Sequence, residues 1–226
     1  MKTRNKIICG DCMKVMKQLP DLSFDVCSFS PPYSNGKFFD INKDFDKGGV
    51  FHEYLSEIAR VSRVIGINFT QLIGKDGENS LFIEKLILNA SDYGVELLDR
   101  WIIYKKVGQP ARGNRVLNRF EYLLVFLGKG VSHNFSKEEK EKFKLFQTVF
   151  EVVSFRSKRN QVVTTTPYYE EIPMQMIGVF GREGSVVFDP FCGTGTTLKI
   201  AKLMGYDYFG IEIDDVICDQ TIQELV

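Results

Sequence analysis

The chain of 226 residues carries 29 basic and 29 acidic side chains, so its formal net charge is zero, and 44% of its residues are hydrophobic. A charged fraction of 26% beside this apolar content excludes an intrinsically disordered chain. No apolar run approaches the roughly 20 residues that cross a bilayer, and the first residues lack the pattern of a signal peptide. We therefore expect a soluble, cytoplasmic protein with one domain over residues 1–226, in which any attraction to nucleic acid comes from a local basic surface.

Short apolar runs alternate with amphipathic segments along the chain, which indicates an α/β architecture. Several of the runs are continuously apolar, as expected for strands whose sheet is covered by helices on both faces. The predicted strands are Lys6–Cys9, Phe24–Phe29, Val64–Phe69, Trp101–Tyr104, Tyr122–Leu127, Val186–Phe188 and Tyr208–Ile213. The predicted helices are Met13–Gln18, Phe51–Ser62, Ser80–Ser91, Ile172–Phe180, Thr196–Met204 and Asp215–Leu225.

Two segments interrupt this alternation. Ser34–Gly49 is polar, contains glycine and is too long for an ordinary connection, so we interpret it as an active-site loop. Gly128–Thr166 is too small for a separate domain, and we interpret it as a specificity insertion within the single domain. Inside it, Ser136–Glu139 has the pattern of a capping box and predicts a short charged helix that ends near Phe146.

Cysteine and histidine are too scattered to predict a metal site. Both histidines, His52 and His133, stand alone, and no second Cys/His pair accompanies the closest two cysteines. We expect no metal, and we expect the thiols to be reduced and mostly buried. The five cysteines are Cys9, Cys12, Cys27, Cys192 and Cys218.

A strand, a glycine turn and the start of a helix follow one another in residues 186–197. Gly193 and Gly195 allow the backbone to approach a ligand, and the helix start offers free N–H groups. Leu198 stands where a dinucleotide fingerprint has its third glycine. Glu212, at the end of the next strand, can accept hydrogen bonds from both hydroxyls of a ribose. The pattern favours a nucleoside cofactor, although a plain connection with a solvated acid would look similar.

The run Ser30-Pro31-Pro32-Tyr33 follows the strand Phe24–Phe29. Its two prolines remove two backbone donors and fix two φ angles, which leaves a rigid turn with outward carbonyl groups. Such carbonyls suit a ligand that donates hydrogens, for example an exocyclic amine, and Tyr33 offers a face on which a planar base can stack. Taken alone, the run is equally consistent with a proline turn in which Tyr33 packs against the protein.

Together, the two motifs resemble the amino-group DNA methyltransferases that use S-adenosyl-L-methionine. Ser-Pro-Pro-Tyr precedes the run Asp-Pro-Phe-Cys-Gly-Thr-Gly-Thr-Thr at residues 189–197, and this order is similar to that of the permuted beta group of the family. Gly10-Asp11-Cys12, Arg119–Tyr122 and Pro167–Ile172 resemble further landmarks. The last of these departs from the commoner version of its motif, which contains His-Pro.

This resemblance implies a Rossmann-like methyltransferase fold with a mixed seven-stranded sheet, and it assigns roles to individual residues. Ser30 and the Pro31 carbonyl would accept the hydrogens of the target amine, while Pro32 stiffens the turn and Tyr33 stacks on a base that has left the duplex. The expected cofactor-binding residues are Asp11, Cys12, Asp189, Phe191, Gly193, Gly195, Thr196, Glu212 and Ile213.

The resemblance also implies a substrate, double-stranded DNA, and a setting in restriction-modification with a cognate endonuclease, as a monomer or homodimer. Serine at position 30 is more typical of cytosine-N4 enzymes, so we favour cytosine N4. Adenine N6 is the alternative, followed by a catalytically inactive regulatory subunit that binds DNA.

Basic residues without neighbouring acids form two candidate DNA contacts. One lies between Arg100 and Arg119, and the other lies in the Gly128–Thr166 insertion, our candidate for target recognition. Either could instead be an ordinary basic surface loop. The predicted DNA-binding residues are Lys105, Lys106, Arg112, Arg115, Arg119, Arg156, Lys158 and Arg159.

Overall fold

The computed structural model describes residues 4–31, 50–69, 82–105, 119–152 and 168–225. Within these ranges the chain forms one mixed sheet of eight strands with helices on both faces. The strands are β1 (Lys6–Cys9), β2 (Phe24–Phe29), β3 (Ser62–Phe69), β4 (Glu96–Lys105), β5 (Phe120–Leu127), β6 (Val149–Val152), β7 (Val186–Asp189) and β8 (Asp207–Glu212). Their order across the sheet is β1-β8-β7-β2-β3-β5-β4-β6.

The helices of the described ranges pack in two layers. They are α1 (Cys12–Met16), α2 (Val50–Val61), α3 (Phe82–Leu88), α4 (Lys137–Phe143), α5 (Glu171–Phe180), α6 (Thr196–Leu203) and α7 (Asp215–Leu225), with a 3₁₀ helix at Ala90–Tyr93. One buried cluster joins the sheet to α1, α2 and α3, and a second joins the other face to α4, α5 and α6. None of the described helices has the length and apolar character needed to cross a membrane.

All strands from β1 to β3 in the sheet order run parallel, and β5 is antiparallel to β3. The carboxyl ends of β1, β8, β7, β2 and β3 therefore lie along one edge, where open α/β sheets bind their ligands. Because β4 is antiparallel to β5, the end of β4 and the start of β5 lie at this edge too. We call it the carboxyl edge of the sheet.

The sheet has one strand more than the predicted seven, and the additional strand is β6. It lies at the outer edge of the sheet, parallel to β4, with Ile102 opposite Val149. It belongs to the predicted insertion, as does α4, which begins at the capping box of Ser136 and Glu139. Residues 128–152 therefore join the main fold, and the rest of the insertion lies outside the described residues.

The prediction of uniformly reduced thiols is wrong for one pair. Cys9 and Cys218 form a disulfide that links the end of β1 to α7. The remaining three cysteines, Cys12, Cys27 and Cys192, are free and buried, as expected. The sequence spacing could not reveal the pair, because 209 positions separate its members.

Candidate active site

The two predicted motifs lie side by side at the carboxyl edge. Strand β2, which ends directly before Ser30, pairs in parallel with β7, which ends at Asp189. In this register Cys27 is opposite Phe188. The hydroxyl of Thr197, in α6, donates to the Ser28 carbonyl at 3.1 Å and so ties the helix of the glycine motif to the strand of the proline motif.

The glycine turn between β7 and α6 requires the backbone freedom of its glycines. Gly193 and Gly195 have φ values of 51° and 77°, in the left-handed region that other residues rarely adopt. A Cβ atom on Gly195 would lie 2.6 Å from the Cγ2 atom of Thr221 in α7. The Thr221 hydroxyl also donates to the Gly193 carbonyl at 2.8 Å. Helix α7 therefore stabilises the conformation of the turn through Thr221.

Glu212, at the end of β8, is held by two backbone donors. One carboxylate oxygen accepts from the Gly193 N–H at 2.9 Å, and the other accepts from the Asp214 N–H at 2.9 Å. A carboxylate has about four acceptor positions, so this half-buried side chain retains capacity for further donors. The arrangement is compatible with a ligand that has paired hydroxyl groups.

Asp189 is a buried carboxyl directly beneath the turn. Its pKa is raised to about 7: burial is the largest cause, the neighbouring Thr197 hydroxyl and the Phe191 N–H lower the pKa, and the nearby Glu212 charge raises it. The Phe191 N–H donates to it at 3.0 Å. Asp189 thus shapes the turn in addition to offering a carboxyl group, a role that the sequence did not predict.

Asp11 and Cys12 lie across the site, at the end of β1. Asp11 is the N-cap of α1, and its carboxylate accepts from the N–H groups of Met13 at 2.8 Å and Lys14 at 3.2 Å. The Cys12 thiol is buried, which together with the Asp11 charge raises its pKa to about 12. Among the described residues, no atom lies within 4 Å of a Cβ placed on Gly10, so none of them fills the space in front of this turn.

Three aromatic rings pack together between the glycine turn, the end of β2 and helix α2. The Phe191 ring lies 5.5 Å from that of Phe29 and 5.9 Å from that of Tyr54, measured between ring centroids. Among the other predicted residues, Thr196 is half-buried at the start of α6 and Ile213 is exposed just after β8.

Tyr54 is a site residue that the sequence analysis missed. Its pKa is raised to about 12, mainly by burial, and the Cys12 and Asp11 groups add to the effect. The only sequence signal was its place on α2 three residues after the buried Phe51, and that spacing also describes any core position.

The proline motif is partly visible. Ser30 is half-buried and Pro31 is buried at the end of β2, whereas Pro32 and Tyr33 lie outside the described residues, as does the predicted loop Ser34–Gly49. The Ser28 hydroxyl is 2.9 Å from that of Tyr168, which precedes α5. The strand that carries the motif is therefore held by side chains from α6 and from the residues that lead into α5.

The structure removes one residue from the predicted DNA contacts. Lys105 is only 4% exposed, and its ammonium group lies 3.0 Å from the Glu121 carboxylate, so it cannot reach a phosphate on the surface. Arg119 is exposed and donates to the Tyr104 hydroxyl at 3.3 Å. The other predicted contacts, Lys106, Arg112, Arg115, Arg156, Lys158 and Arg159, lie outside the described residues.

No group of three or more potential metal ligands forms among the residues that the structure describes. The polar groups at the carboxyl edge are instead carboxylates, hydroxyls and backbone amides, which suit a polar organic ligand.

Comparisons with known proteins identify relatives of this chain in sequence and in fold. Curated relatives include the type II methyltransferases M.HinfI of Haemophilus influenzae, 25% identical over 95% of this chain, and M.HpaI of Haemophilus parainfluenzae, 26% identical over 92%. The chain spans 66% of the length of M.HinfI and 70% of that of M.HpaI.

Solved structures share the fold at low sequence identity. The PvuII cytosine-N4-specific DNA methyltransferase superposes with a TM-score of 0.81 at 13% identity, over 100% of this chain and 92% of that one. The putative DNA modification methylase TTHA0409 of Thermus thermophilus, in complex with S-adenosyl-L-methionine, gives a TM-score of 0.75 at 20% identity, over 98% and 93%.

A family model described as DNA methylase matches residues 24–223, a range that contains both motifs. The chain therefore belongs to the DNA methylase family of N6- and N4-methyltransferases.

Proposed function

We propose that the protein transfers a methyl group from S-adenosyl-L-methionine to an exocyclic amine in double-stranded DNA, with cytosine N4 as the target. The observation that carries this proposal is the direct pairing of β2 with β7, which brings the Ser30–Pro31 turn and the Gly193–Gly195 turn to the same edge of the sheet. A donor bound at one turn and an amine held at the other lie within reach of each other.

The residues at the edge fit the cofactor. Glu212 has acceptor capacity for the ribose hydroxyls, and Asp189 offers a carboxyl group to the amino group of the methionine part. Asp11 faces the adenine amine. Phe191, Ile213 and Tyr54 provide apolar contacts for the purine and for the carbon chain of the methionine part. The bound cofactor supplies an electrophilic methyl group.

The proline turn prepares the amine. A base inside a duplex has its amine buried by stacking, so the target base leaves the helix at a cost of a few kcal/mol. Stacking on Tyr33 returns roughly 1–3 kcal/mol. Ser30 and the Pro31 carbonyl accept the two amine hydrogens, which turns the nitrogen lone pair away from conjugation with the ring and toward the methyl group. The amine nitrogen gains the methyl group and gives up one of its hydrogens as a proton, and no covalent bond to the protein is required.

The choice of cytosine N4 rests on Ser30, the residue at the first position of the proline motif. A neutral hydroxyl is compatible with the acceptor-rich edge of cytosine, and the resemblance in sequence associates serine here with cytosine-N4 enzymes. The structural similarity to the PvuII enzyme supports the fold and is not used to choose between cytosine and adenine as the target base. A restriction-modification setting is proposed because the relatives named above are type II methyltransferases.

Methyl transfer from radiolabelled S-adenosyl-L-methionine to duplex DNA tests the proposal. We expect transfer by the wild type, and we expect Ser30→Ala and Tyr33→Ala to bind cofactor normally and lose most turnover, because each removes a contact to the base. Binding of cofactor and DNA without any transfer by the wild type would instead indicate a regulatory subunit. Wild-type rates in both variants would overturn the roles of the proline motif.

A further inference from the structure

A cluster of three buried polar side chains lies at the carboxyl edge beside the proposed catalytic turn. Asn68 in β3, Glu121 in β5 and Lys105 in β4 are 4%, 9% and 4% exposed. Phe29 of β2 is opposite Ile67 of β3, so the next residues, Ser30 and Asn68, lie next to each other. The cluster therefore begins one strand away from the turn that holds the target amine.

Hydrogen bonds join the three side chains into one network. Glu121 accepts from the Asn68 amide at 3.1 Å with one oxygen and pairs with the Lys105 ammonium at 3.0 Å with the other. The Asn68 amide also donates to the Tyr122 carbonyl at 3.2 Å. Glu121 thus bridges two strands that are not neighbours of each other, since β5 lies between β3 and β4.

Stability alone is a weak reason for such a network. Desolvation of two buried charges offsets most of their attraction, and apolar residues of similar volume often serve stability as well or better. The best-supported benefit of a buried polar group is that it specifies one geometry. At this place in the fold, the geometry concerned is that of the β3 end relative to β4 and β5.

The network also lies close in sequence to the two segments that contain the predicted DNA contacts. Lys105 is the last described residue before residues 106–118, and Glu121 follows two residues after the exposed Arg119. Tyr169, just after residues 153–167, lies near the same carboxylate: burial raises its pKa, and the Glu121 charge adds to this effect. The end of β4 and the start of β5, which flank residues 106–118, therefore meet at Glu121, and the Glu121 charge acts on Tyr169.

We propose that Lys105, Glu121 and Asn68 are positioning residues for methyl transfer. They hold the strand beside Ser30 in fixed register with the strand ends that lead into the DNA-contacting segments, so that the amine of a bound target meets the methyl donor. The inference rests on the proposed function. It predicts an effect on the rate of transfer and none on the affinity for the cofactor, whose proposed site lies on the other side of β2.

Glu139→Gln is the matched control for Glu121→Gln. Glu139, in α4, is 2% exposed and pairs with Arg63 near the start of β3, at the opposite edge of the sheet. Both substitutions break a buried ion pair to a strand, and only one of the pairs lies beside the proposed site. The double variant Glu121→Gln/Lys105→Met removes both charges at similar volume and so avoids an unpaired buried ammonium.

Single-turnover methyl transfer at saturating DNA and cofactor separates the alternatives, because a structural defect lowers the amplitude whereas a misplaced target lowers the rate. We expect the double variant and Glu121→Gln to be at least about tenfold slower at wild-type amplitude and cofactor affinity, since displacements of about 1 Å can cost up to a hundredfold. We expect the rate of Glu139→Gln to stay near that of the wild type.

Three results would overturn the inference: a wild-type rate in the double variant, an equal slowing in Glu139→Gln, or a loss confined to the amplitude. Each would assign the cluster a structural role or none. Absence of transfer in the wild type would contradict the proposed function itself, so the two failures are distinguishable.

Discussion

Glu212 illustrates how single side chains prepare the site before any ligand arrives. The N–H groups of Gly193 and Asp214 fix both of its carboxylate oxygens at 2.9 Å. A preoriented carboxylate loses little conformational entropy when a ligand donates to it, so its hydrogen bonds contribute more of their energy to binding.

Replacement of this carboxylate should weaken cofactor binding. We expect Glu212→Ala to raise the dissociation constant for S-adenosyl-L-methionine by about ten- to a hundredfold, because hydrogen bonds to charged groups contribute about 1.5–3 kcal/mol. Isothermal titration calorimetry measures the change. Glu224→Ala, at the other end of α7 and paired with Lys199, is the control and should bind normally. Equal affinities for both variants would remove Glu212 from the site.

We expect Asp189 to make cofactor binding depend on pH. Its pKa of about 7 means that the buried carboxyl is largely neutral below that pH, whereas a cationic amino group binds better to the ionised form. Affinity should therefore rise as the pH increases from about 6 to about 8, and this dependence should vanish in Asp189→Asn. By linkage, a bound cation lowers the pKa, so binding near neutral pH releases protons. Titrations in buffers of different ionisation enthalpy detect that release, and binding independent of pH would contradict the assignment.

At the scale of elements, the local sequence pattern was sufficient to predict the bounds of a helix or strand where the spacing of apolar residues matches the buried face of that element. The boundaries of β1, β2 and α7 match those predicted from the sequence. Strand β6 was missed because it alternates exposed with buried positions and, among the described strands, pairs with β4 alone. Whether a short edge segment forms a strand depends on the strand with which it pairs. For β6 this partner is far away in the sequence, because Val149 is opposite Ile102.

Lys105 is a residue of the predicted site whose environment also depends on strand pairing that the local sequence does not reveal. A run of basic residues without acids indicated a surface loop, yet the antiparallel pairing of β4 with β5 brings Glu121 to its ammonium group. One signal was available: Trp101, Ile103 and Lys105 share one face of β4, and the first two are buried. Tyr54 could not be found in this way, since only the packing of α2 against the site distinguishes it from a core residue.

The glycine turn offers a test of how α7 supports the site. Gly195→Ala combines a left-handed backbone with a clash against Thr221. Gly184→Ala meets the backbone penalty alone, since the φ of Gly184 is 76° and no atom of the described residues lies within 4 Å of an added Cβ. We expect Gly184→Ala to cost about 1–2 kcal/mol of unfolding free energy and Gly195→Ala about 1–3 kcal/mol more. Urea denaturation measures both. Equal costs would show that the turn does not depend on α7.

At the scale of the whole molecule, the chain is neutral, so the proposed binding of DNA depends on local positive charge. Arg119 is the predicted DNA contact that the structure describes as exposed, and it lies at the carboxyl edge. Arg4, which precedes β1 and pairs with Asp207, lies at the opposite edge.

This difference predicts distinct salt effects. Arg119→Gln should weaken DNA binding uniformly across sequences and reduce the slope of log affinity against log salt by about 1, as expected for one lost phosphate contact. Arg4→Gln should leave the slope unchanged. Fluorescence anisotropy over a series of salt concentrations provides both slopes. An unaltered slope for Arg119→Gln would place the DNA away from this end of β5.

The central claim is that the two turns at the carboxyl edge transfer a methyl group to an exocyclic amine of a DNA base. Incubation of duplex DNA with the protein and S-adenosyl-L-methionine, followed by digestion to nucleosides and identification by chromatography and mass, tests it most directly. We expect N4-methylcytosine. N6-methyladenine would still show methyl transfer to an exocyclic amine and would identify adenine as the target base. Methylation at a ring carbon, or DNA left unmodified, would contradict the claim.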